Sequence, residues 1–246
     1  IKQLRELRAT PVVFDIAENR ERLDLIMPGA ETVIWELGDI TDFERLLEVA
    51  ETHNIEAIIH LAALQVPFCK ADPVGSTRIN VMGSIHMLEL ARQRGITRMS
   101  YASSVAAPAM GDNDWLATLY GAHKVCGEQM AAVYWQDWGL PSIGIRPAII
   151  YGPGRDQGMS AAPTIALMAA EVGEAYTIPF TGEVGFVYVA DAAERFIAAA
   201  SRSFEGAHVF DLNGTPATVT EMLALLNNYY PHAAIEATGD PMPFPA

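Results

Sequence analysis

Short apolar runs alternate along this chain with stretches of helical periodicity. Residues 11–15 (Pro-Val-Val-Phe-Asp) predict a buried strand, as do residues 31–37, 56–62, 98–104 and 141–150. Near-continuous apolar runs of this kind indicate strands covered on both faces, as in a parallel sheet. Between them, residues 42–53 place Phe43, Leu46, Leu47 and Ala50 on one helix face. Residues 80–94 place Val81, Ile85, Leu88 and Ala91 at helical spacing before Gly95 stops the run. Residues 119–138 predict a long helix, apolar on two sides and ending at Gly139, and residues 1–8 read as helical and charged. The alternation predicts an α/β doubly wound parallel sheet with right-handed crossovers.

After Gly152 the rhythm changes. Residues 152–158 (Gly-Pro-Gly-Arg-Asp-Gln-Gly) are a turn-rich loop. A helix over 163–172, strands over 176–180 and 183–189, a helix over 190–202 and a strand over 208–212 follow, the last able to rejoin the main sheet. Residues 218–230 read as a final helix capped by Thr218 or Thr220. The last third thus mixes returning sheet elements with a small lobe, and no internal repeat or low-complexity tract interrupts it.

With 246 residues, 50% hydrophobic and 19% charged, the chain is globular in composition, enough for one large domain or one domain with a lobe grown from it. Sixteen Lys and Arg against thirty Asp and Glu give a formal charge of −14. That balance argues against a nucleic-acid partner, since phosphate binding needs a basic face. Two cysteines, Cys69 and Cys126, make no disulfide framework and point to a reducing compartment. No apolar run reaches the roughly 18 residues of a membrane span. The richest, residues 165–170, is followed at once by Glu171. The start lacks a signal-peptide pattern and an initiator Met, so the gene product is expected to begin elsewhere. These features predict a soluble cytoplasmic protein.

In doubly wound sheets a ligand binds beyond the carboxyl ends of the strands. Asp15, Asp39, Leu61-Ala62-Ala63, Ser103-Ser104 and residues 147–151 all fall at predicted strand ends. An acidic residue at the position of Asp15 accepts hydrogen bonds from both adenosine ribose hydroxyls and repels a 2′-phosphate. A turn or helix-capping aspartate is the plain alternative. Asp39 suits the adenine amino group or, equally, a turn.

Tyr120-Gly-Ala-His-Lys124 is the sharpest motif, because i and i+4 place both side chains on one helix face. A free tyrosine has a pKa of about 10. A nearby ammonium, together with an oxidised nicotinamide ring, would favour the phenolate and let Tyr120 take or return a hydroxyl proton. Eight tyrosines with Lys2, Lys70 and Lys124, placed at random, give about 0.1 such pairs. The hydroxyl of Ser104, at the preceding strand end, suits the same substrate oxygen. The plain alternative is a serine-rich turn and a packed tyrosine.

Other chemistries lack their motifs. Ser160 lies in Gly158-Met-Ser-Ala-Ala, which is no nucleophile elbow. His53, His60, His86, His123, His208 and His232 have no metal-ligand spacing. His60 ends an apolar strand and reads as a core histidine. Met82, Met87 and Met130 read as core filling, and the acidic excess as solvated surface.

Together these residues resemble the extended short-chain dehydrogenase/reductase family, in its NAD-dependent epimerase/dehydratase branch. The matching segments occur in order: Val12-Val-Phe-Asp15, Gly38-Asp-Ile-Thr-Asp42, Ile58-Ile-His-Leu-Ala-Ala63, Asn80-Val-Met-Gly83, Tyr101-Ala-Ser-Ser104, Tyr120-Gly-Ala-His-Lys124, Arg146-Pro-Ala-Ile-Ile-Tyr-Gly-Pro-Gly154 and Phe186-Val-Tyr-Val-Ala-Asp191. The resemblance implies a Rossmann-like doubly wound sheet (residues 1–152 with 187–214) carrying a small C-terminal substrate lobe (153–186 with 215–246). It implies NAD as cofactor, catalysis by Ser104, Tyr120 and Lys124, and a bond from Lys124 to the nicotinamide ribose. Asp15, Asp39, Ile40, Leu61, Ala62, Ala63 and Ser103 fall to the cofactor, with Asn80 behind the site and Pro147 and Ile150 near the nicotinamide. A homodimer through the helices starting near Val81 and Tyr120 is implied as well.

Three features depart from the family pattern. The glycine-rich pyrophosphate loop and first strand should precede a helix that Ile1 already occupies, so they are expected outside this sequence. The stretch 105–119 is short. Val184-Gly185 replaces the usual basic–acidic pair before Phe186, which weakens the case for a nucleotide diphosphate substrate. The expected function is hydride transfer at a secondary alcohol or ketone of a sugar-like small molecule, as in an epimerase or dehydrogenase. Gln65, Arg155 and Gln157 are candidates for substrate hydrogen bonds. A dehydratase ranks lowest, since no Asp-Glu pair follows Ser104. A non-catalytic NAD(P)-binding regulator is opposed by the Tyr/Lys pair, and an NADP-dependent ketone reductase by Asp15.

Overall fold

The computed structural model describes residues 1–108 and 117–244. Strands β1 (Val12–Asp15) and β2 (Ile34–Leu37) pair in parallel, Val12 opposite Ile34 and Asp15 opposite Leu37. A second parallel piece runs β3 (Ile58–His60), β4 (Met99–Ala102), β5 (Ser142–Pro147) and β9 (Ala207–Leu212), hydrogen-bonded in that order.

Alternation along each strand sends neighbouring side chains to opposite helix layers. Ile58, Met99 and Tyr101 pack with Leu46 of α3 (Phe43–Thr52), Leu88 and Ala91 of α6 (Gly83–Arg94), and Ala131 and Tyr134 of α7 (Leu119–Trp138). On the other side Ile143 and Ile145 meet Phe196 and Ala199 of α9 (Val189–Ala200), and Ser100 Oγ donates to Phe196 O at 3.0 Å. Full burial of each large aliphatic side chain contributes about 1.5–3 kcal/mol before entropy is counted. Asp42 caps α3 by accepting from Arg45 N at 3.1 Å, and Gly95 and Gly139, in the left-handed region, end α6 and α7.

The lobe has its own core. β6 (Ile149–Tyr151), β8 (Glu183–Tyr188) and β10 (Thr215–Thr218) form a mixed sheet in the order β10-β8-β6, while β7 (Tyr176–Ile178) pairs with β11 (Ile235–Ala237). Helices α8 (Ala162–Val172) and α10 (Val219–Tyr229) enclose Ile149, Ala166, Ile178, Val184 and Leu226. Thr218 and Glu221 make a reciprocal capping box at the start of α10.

Several predicted boundaries move. The apolar run 141–150 is two strands, not one. β5 stays in the main sheet; the chain turns at Ala148, whose N–H donates to Leu212 O at 3.1 Å, and β6 joins the lobe. Residues Ala30–Thr32 are a 3-10 turn ahead of β2. The helix expected from residue 80 is preceded by two short helices, α4 (Val66–Ala71) and α5 (Pro73–Thr77), and by a π turn, Arg78–Met82. Pro67 and Pro73 look like breakers in sequence, yet both sit in a first helical turn, where the missing N–H costs nothing. Two further short helices, α1 (Lys2–Glu6) and α2 (Glu21–Ile26), flank β1. Among the described residues, no helix is long and apolar enough to cross a membrane.

Candidate active site

The chemistry gathers where β4 ends and α7 begins. Thr118 caps α7 by accepting from Gly121 N at 3.0 Å. Gly121 lets that first turn lie against the chain leaving β4: a Cβ there would stand 2.4 Å from Ala106 O. Ser104 sits in the same turn, its Oγ accepting from Ala106 N at 3.1 Å. The close approach brings the Ser104 hydroxyl near enough to the Tyr120 phenol to favour its ionised form. Lys124 reaches back from α7, donating to Ala102 O at 2.6 Å, with its Nζ 5.4 Å from the Tyr120 ring centre.

Burial dominates the electrostatics. It pushes the Tyr120 phenol above its ordinary value, partly offset by the neighbouring Ser104 hydroxyl and by Arg155. The expectation that lysine brings this phenol down is therefore corrected: desolvation outweighs the nearby charges, and the opposing pull comes from Ser104 and Arg155. Burial also brings the Lys124 ammonium down to about 8. His60 is a buried core histidine as expected, brought down to about 3 chiefly by desolvation, with Nε2 3.2 Å from Ser84 Oγ.

Behind the site, Asn80 in the π turn is buried. It accepts from Leu64 N at 2.7 Å and donates from Nδ2 to Leu64 O at 2.9 Å and to His123 Nδ1 at 3.2 Å. That orientation leaves the His123 Nε2–H to face Thr77 Oγ1 at 3.0 Å, and burial lowers the pKa of this histidine. Asn80 thus holds the segment after β3 through its backbone, with its side chain turned inward. The Ser103 hydroxyl is likewise turned inward, onto the carboxylate of Glu128.

Asp15 and Asp39 stand exposed at the ends of β1 and β2. Asp15 accepts from Ala17 N at 3.4 Å. Asp39 Oδ1 accepts from both Thr41 N and Thr41 Oγ1 at 2.8 Å, the turn geometry that was the alternative reading. Ile40 packs where a Cβ on Gly83 would stand 2.8 Å from its Cγ2. Leu61 and Ala62 are exposed and Ala63 half-buried, as are Pro147 and Ile150. On the lobe side, Arg155 donates to Gln157 O and, at 3.0 Å, to Ser160 Oγ. Gln65 lies over Gly158, whose added Cβ would overlap its amide. Arg22 binds Asp156 through two contacts, 2.5 and 3.2 Å, tying α2 to the same loop. Residues 109–116 of the short loop fall outside the described residues.

A dinucleotide fits part of this surface. Ile16, Leu37 and Leu61 are 73%, 50% and 57% exposed at or just beyond the carboxyl ends of β1, β2 and β3, apolar side chains of the kind that line a cofactor site. Asp15 offers a carboxylate at one end and Lys124 a half-buried cation at the other. No described residue is assigned to a pyrophosphate; ahead of β1 stands α1, entered from Ile1.

Sequence reasoning missed Gly121, His123, Thr77 and the pair Glu128–Arg146. Glu128 was accessible by extending the i, i+4 spacing of Tyr120 and Lys124 by one more step. Gly121 carries no sequence signal of its close approach.

A doubly wound sheet with a tyrosine and lysine one helical turn apart, facing a serine beyond the strand ends, defines an extended short-chain dehydrogenase/reductase fold. The sequence pattern of the NAD dependent epimerase/dehydratase family matches residues 8–213, and the chain belongs to that family. An uncharacterized protein of Methanocaldococcus jannaschii is 27% identical over 223 residues, covering 85% of this chain and 68% of that protein. The NAD complex of the Thermus thermophilus UDP-glucose 4-epimerase superposes with a TM-score of 0.80 at 23% identity, covering 99% of this chain and 82% of the epimerase. The GalE-like L-threonine dehydrogenase of Cupriavidus necator superposes with a TM-score of 0.82 at 22% identity, covering 97% and 81%. These two likenesses establish a Rossmann-like fold.

Proposed function

We propose that this protein is an NAD-dependent oxidoreductase or epimerase acting at a secondary alcohol or ketone of a sugar or nucleotide-sugar substrate. The observation that carries this reading is the gathering of Tyr120, Lys124 and Ser104, all half-buried, where β4 ends and α7 begins, with the Lys124 Nζ 5.4 Å from the Tyr120 ring centre. When bound, NAD supplies the hydride acceptor or donor. Tyr120 takes the proton from the substrate hydroxyl during oxidation and returns it during reduction, and Ser104 hydrogen-bonds the same oxygen. Lys124 presents a cation to the Tyr120 ring face and to the ribose beside the reacting carbon. Asp15 selects NAD over NADP by accepting from the adenosine ribose hydroxyls, with Asp39 and Ile40 beside the adenine. Leu61, Ala62, Ala63, Pro147 and Ile150 supply apolar walls, and Asn80 and Ser103 hold the neighbouring backbone.

Residues 1–152 with 187–214 form the cofactor-binding part of this reading, and residues 153–186 with 215–246 the substrate lobe. Arg155, Gln65 and Gln157 face the substrate. Exposed Met82, Val133 and Trp138 support pairing of two copies through the π turn and α6 and through α7.

The test is a panel of sugars, sugar acids and nucleotide sugars, screened with NAD and NADP for absorbance of the reduced cofactor. Turnover on at least one, lost in Tyr120→Phe with NAD binding retained, is the expected result. Equal turnover in Tyr120→Phe overturns the assignment. Retained NAD binding with no turnover across the panel favours a regulator of the same fold.

A further inference from the structure

The face of α7 that carries the half-buried Tyr120 and Lys124 continues one step further, to Glu128, at i+4 from the lysine. Glu128 is only 7% exposed. Its carboxylate takes three donors. Arg146 on β5 binds it through Nε to Oε1 at 2.7 Å and Nη2 to Oε2 at 2.6 Å, and Ser103 donates its hydroxyl to Oε1. Arg146 Nη1 also lies 3.5 Å from Asp211 Oδ1 on β9.

Each anchor adjoins a part of the site. Ser103 precedes Ser104, and its N–H donates to Ile145 O at 2.7 Å. Arg146 precedes Pro147. One carboxylate therefore pins α7 to the ends of β4 and β5, which are the walls between which Tyr120 and Ser104 meet. Stability alone is a poor reason for such a pair, because replacing a buried ion pair by apolar residues of similar volume is often neutral or stabilising. Its fixed bidentate geometry instead suits holding a register.

We propose that Glu128 is a positioning residue for the reaction, its carboxylate setting the place of Tyr120 and Lys124 relative to Ser104. The proposal rests on the oxidoreductase reading above. The titratable groups around Lys124 are Tyr120, His123 and Glu128 on its own helix, His60 and Tyr101 on β3 and β4, and Cys69 on α4. Of these, Cys69 and, less strongly, Glu128 raise its proton affinity against the larger effect of burial, whereas Lys124 itself lowers that of both histidines.

Three lysines, Lys2, Lys70 and Lys124, make this measurable without substrate: a lysine-labelled sample has three side-chain NMR signals to titrate. In Glu128→Gln the Lys124 midpoint is expected to move toward acid by about one pH unit, because a neighbouring opposite charge is gone. With a substrate from the panel, kcat should fall about 10- to 100-fold while KM stays within about threefold. The double variant Glu128→Gln, Arg146→Gln restores a neutral hydrogen-bonded pair and should recover thermal stability, but neither the titration nor kcat. It also carries the measurement if the single variant does not fold. A Lys124 titration unchanged from wild type, or a kcat recovered together with Tm in the double variant, overturns the proposal. If no substrate turns over in the wild type, the oxidoreductase reading fails, while the lysine titration still decides whether Glu128 acts on Lys124.

Discussion

The two ends of the strand-end surface are built differently. Beyond β1 and β2, Asp15 and Asp39 stand in water, each engaged by a near neighbour in sequence. Beyond β4 and β5, Ser104, Tyr120 and Lys124 are partly withdrawn from water, and burial has moved both the phenol and the ammonium from their ordinary ranges. A group that only recognises a hydroxyl works while solvated, since it needs a hydrogen bond and no change of charge. Groups that exchange a proton gain from a low dielectric, where neighbouring charges act strongly. The wet end can be assembled from local turns. The dry end needs a helix, two strands and a buried ion pair brought together.

Breaking the dry end should give the largest effect. In the proposed reaction Ser104→Ala removes the donor to the substrate oxygen and should lower kcat about 100- to 1000-fold, as loss of one such donor does elsewhere. NAD affinity, read by calorimetry, should hold. A decrease in NAD affinity that matches the decrease in kcat would place Ser104 in the cofactor site instead.

Acid should weaken the same region. His60 binds its proton only near pH 3 in the folded chain, against an ordinary value of 6.5. The unfolded chain therefore takes up the proton first, and this group's stability, fully present above pH 6.5, is lost as pH falls toward 3. The slope is about 1.4 kcal/mol per pH unit across that window. Urea midpoints from pH 7 to 4 should fall less steeply in His60→Gln than in wild type.

The close approach at the start of α7 makes a smaller, geometric prediction. Gly121→Val drives a side chain into Ala106 O and should cost about 1–3 kcal/mol of stability, together with activity. Gly127, in the same helix, has open space where a Cβ would stand. Gly127→Ala should stabilise by up to about 1 kcal/mol. Equal effects at the two glycines would show that the Ser104 turn yields easily.

Least should happen at the wet end. On the proposed role of Asp15, Asp15→Asn should weaken NAD binding about tenfold, since a charge-assisted hydrogen bond to the ribose would become a neutral one, and should narrow the preference over NADP. Tighter binding of NADP than NAD by the wild type would reverse the selectivity assigned to Asp15.

Much of the fold was legible because burial on both faces leaves a plain mark: β1, β3, β4, α3 and α7 lie where apolar runs and helical spacing put them. What failed to show has local causes. Residues 141–150 are apolar throughout, so nothing in them marks the turn at Ala148 where the chain leaves one sheet for another. Pro67 and Pro73 hide short helices, and β10 (Thr-Pro-Ala-Thr) and β11 (Ile-Glu-Ala) lack the apolar run that marks the other strands. In the site, Tyr120 and Lys124 are linked by helical spacing and could be paired from sequence. Ser104 joined them only by standing at a strand end.

By itself, then, the sequence determined which residues share a helix face, which segments must be buried, and that an acidic group and a serine hydroxyl fall at strand ends, because these follow from periodicities of two and 3.6 along one chain. Tertiary structure alone decided that Arg146 of β5 would meet Glu128 of α7, that Gly121 would lie against Ala106, and that desolvation would raise the Tyr120 phenol. Those depend on contacts between segments distant in sequence and on the exclusion of water, neither of which is written in local spacing.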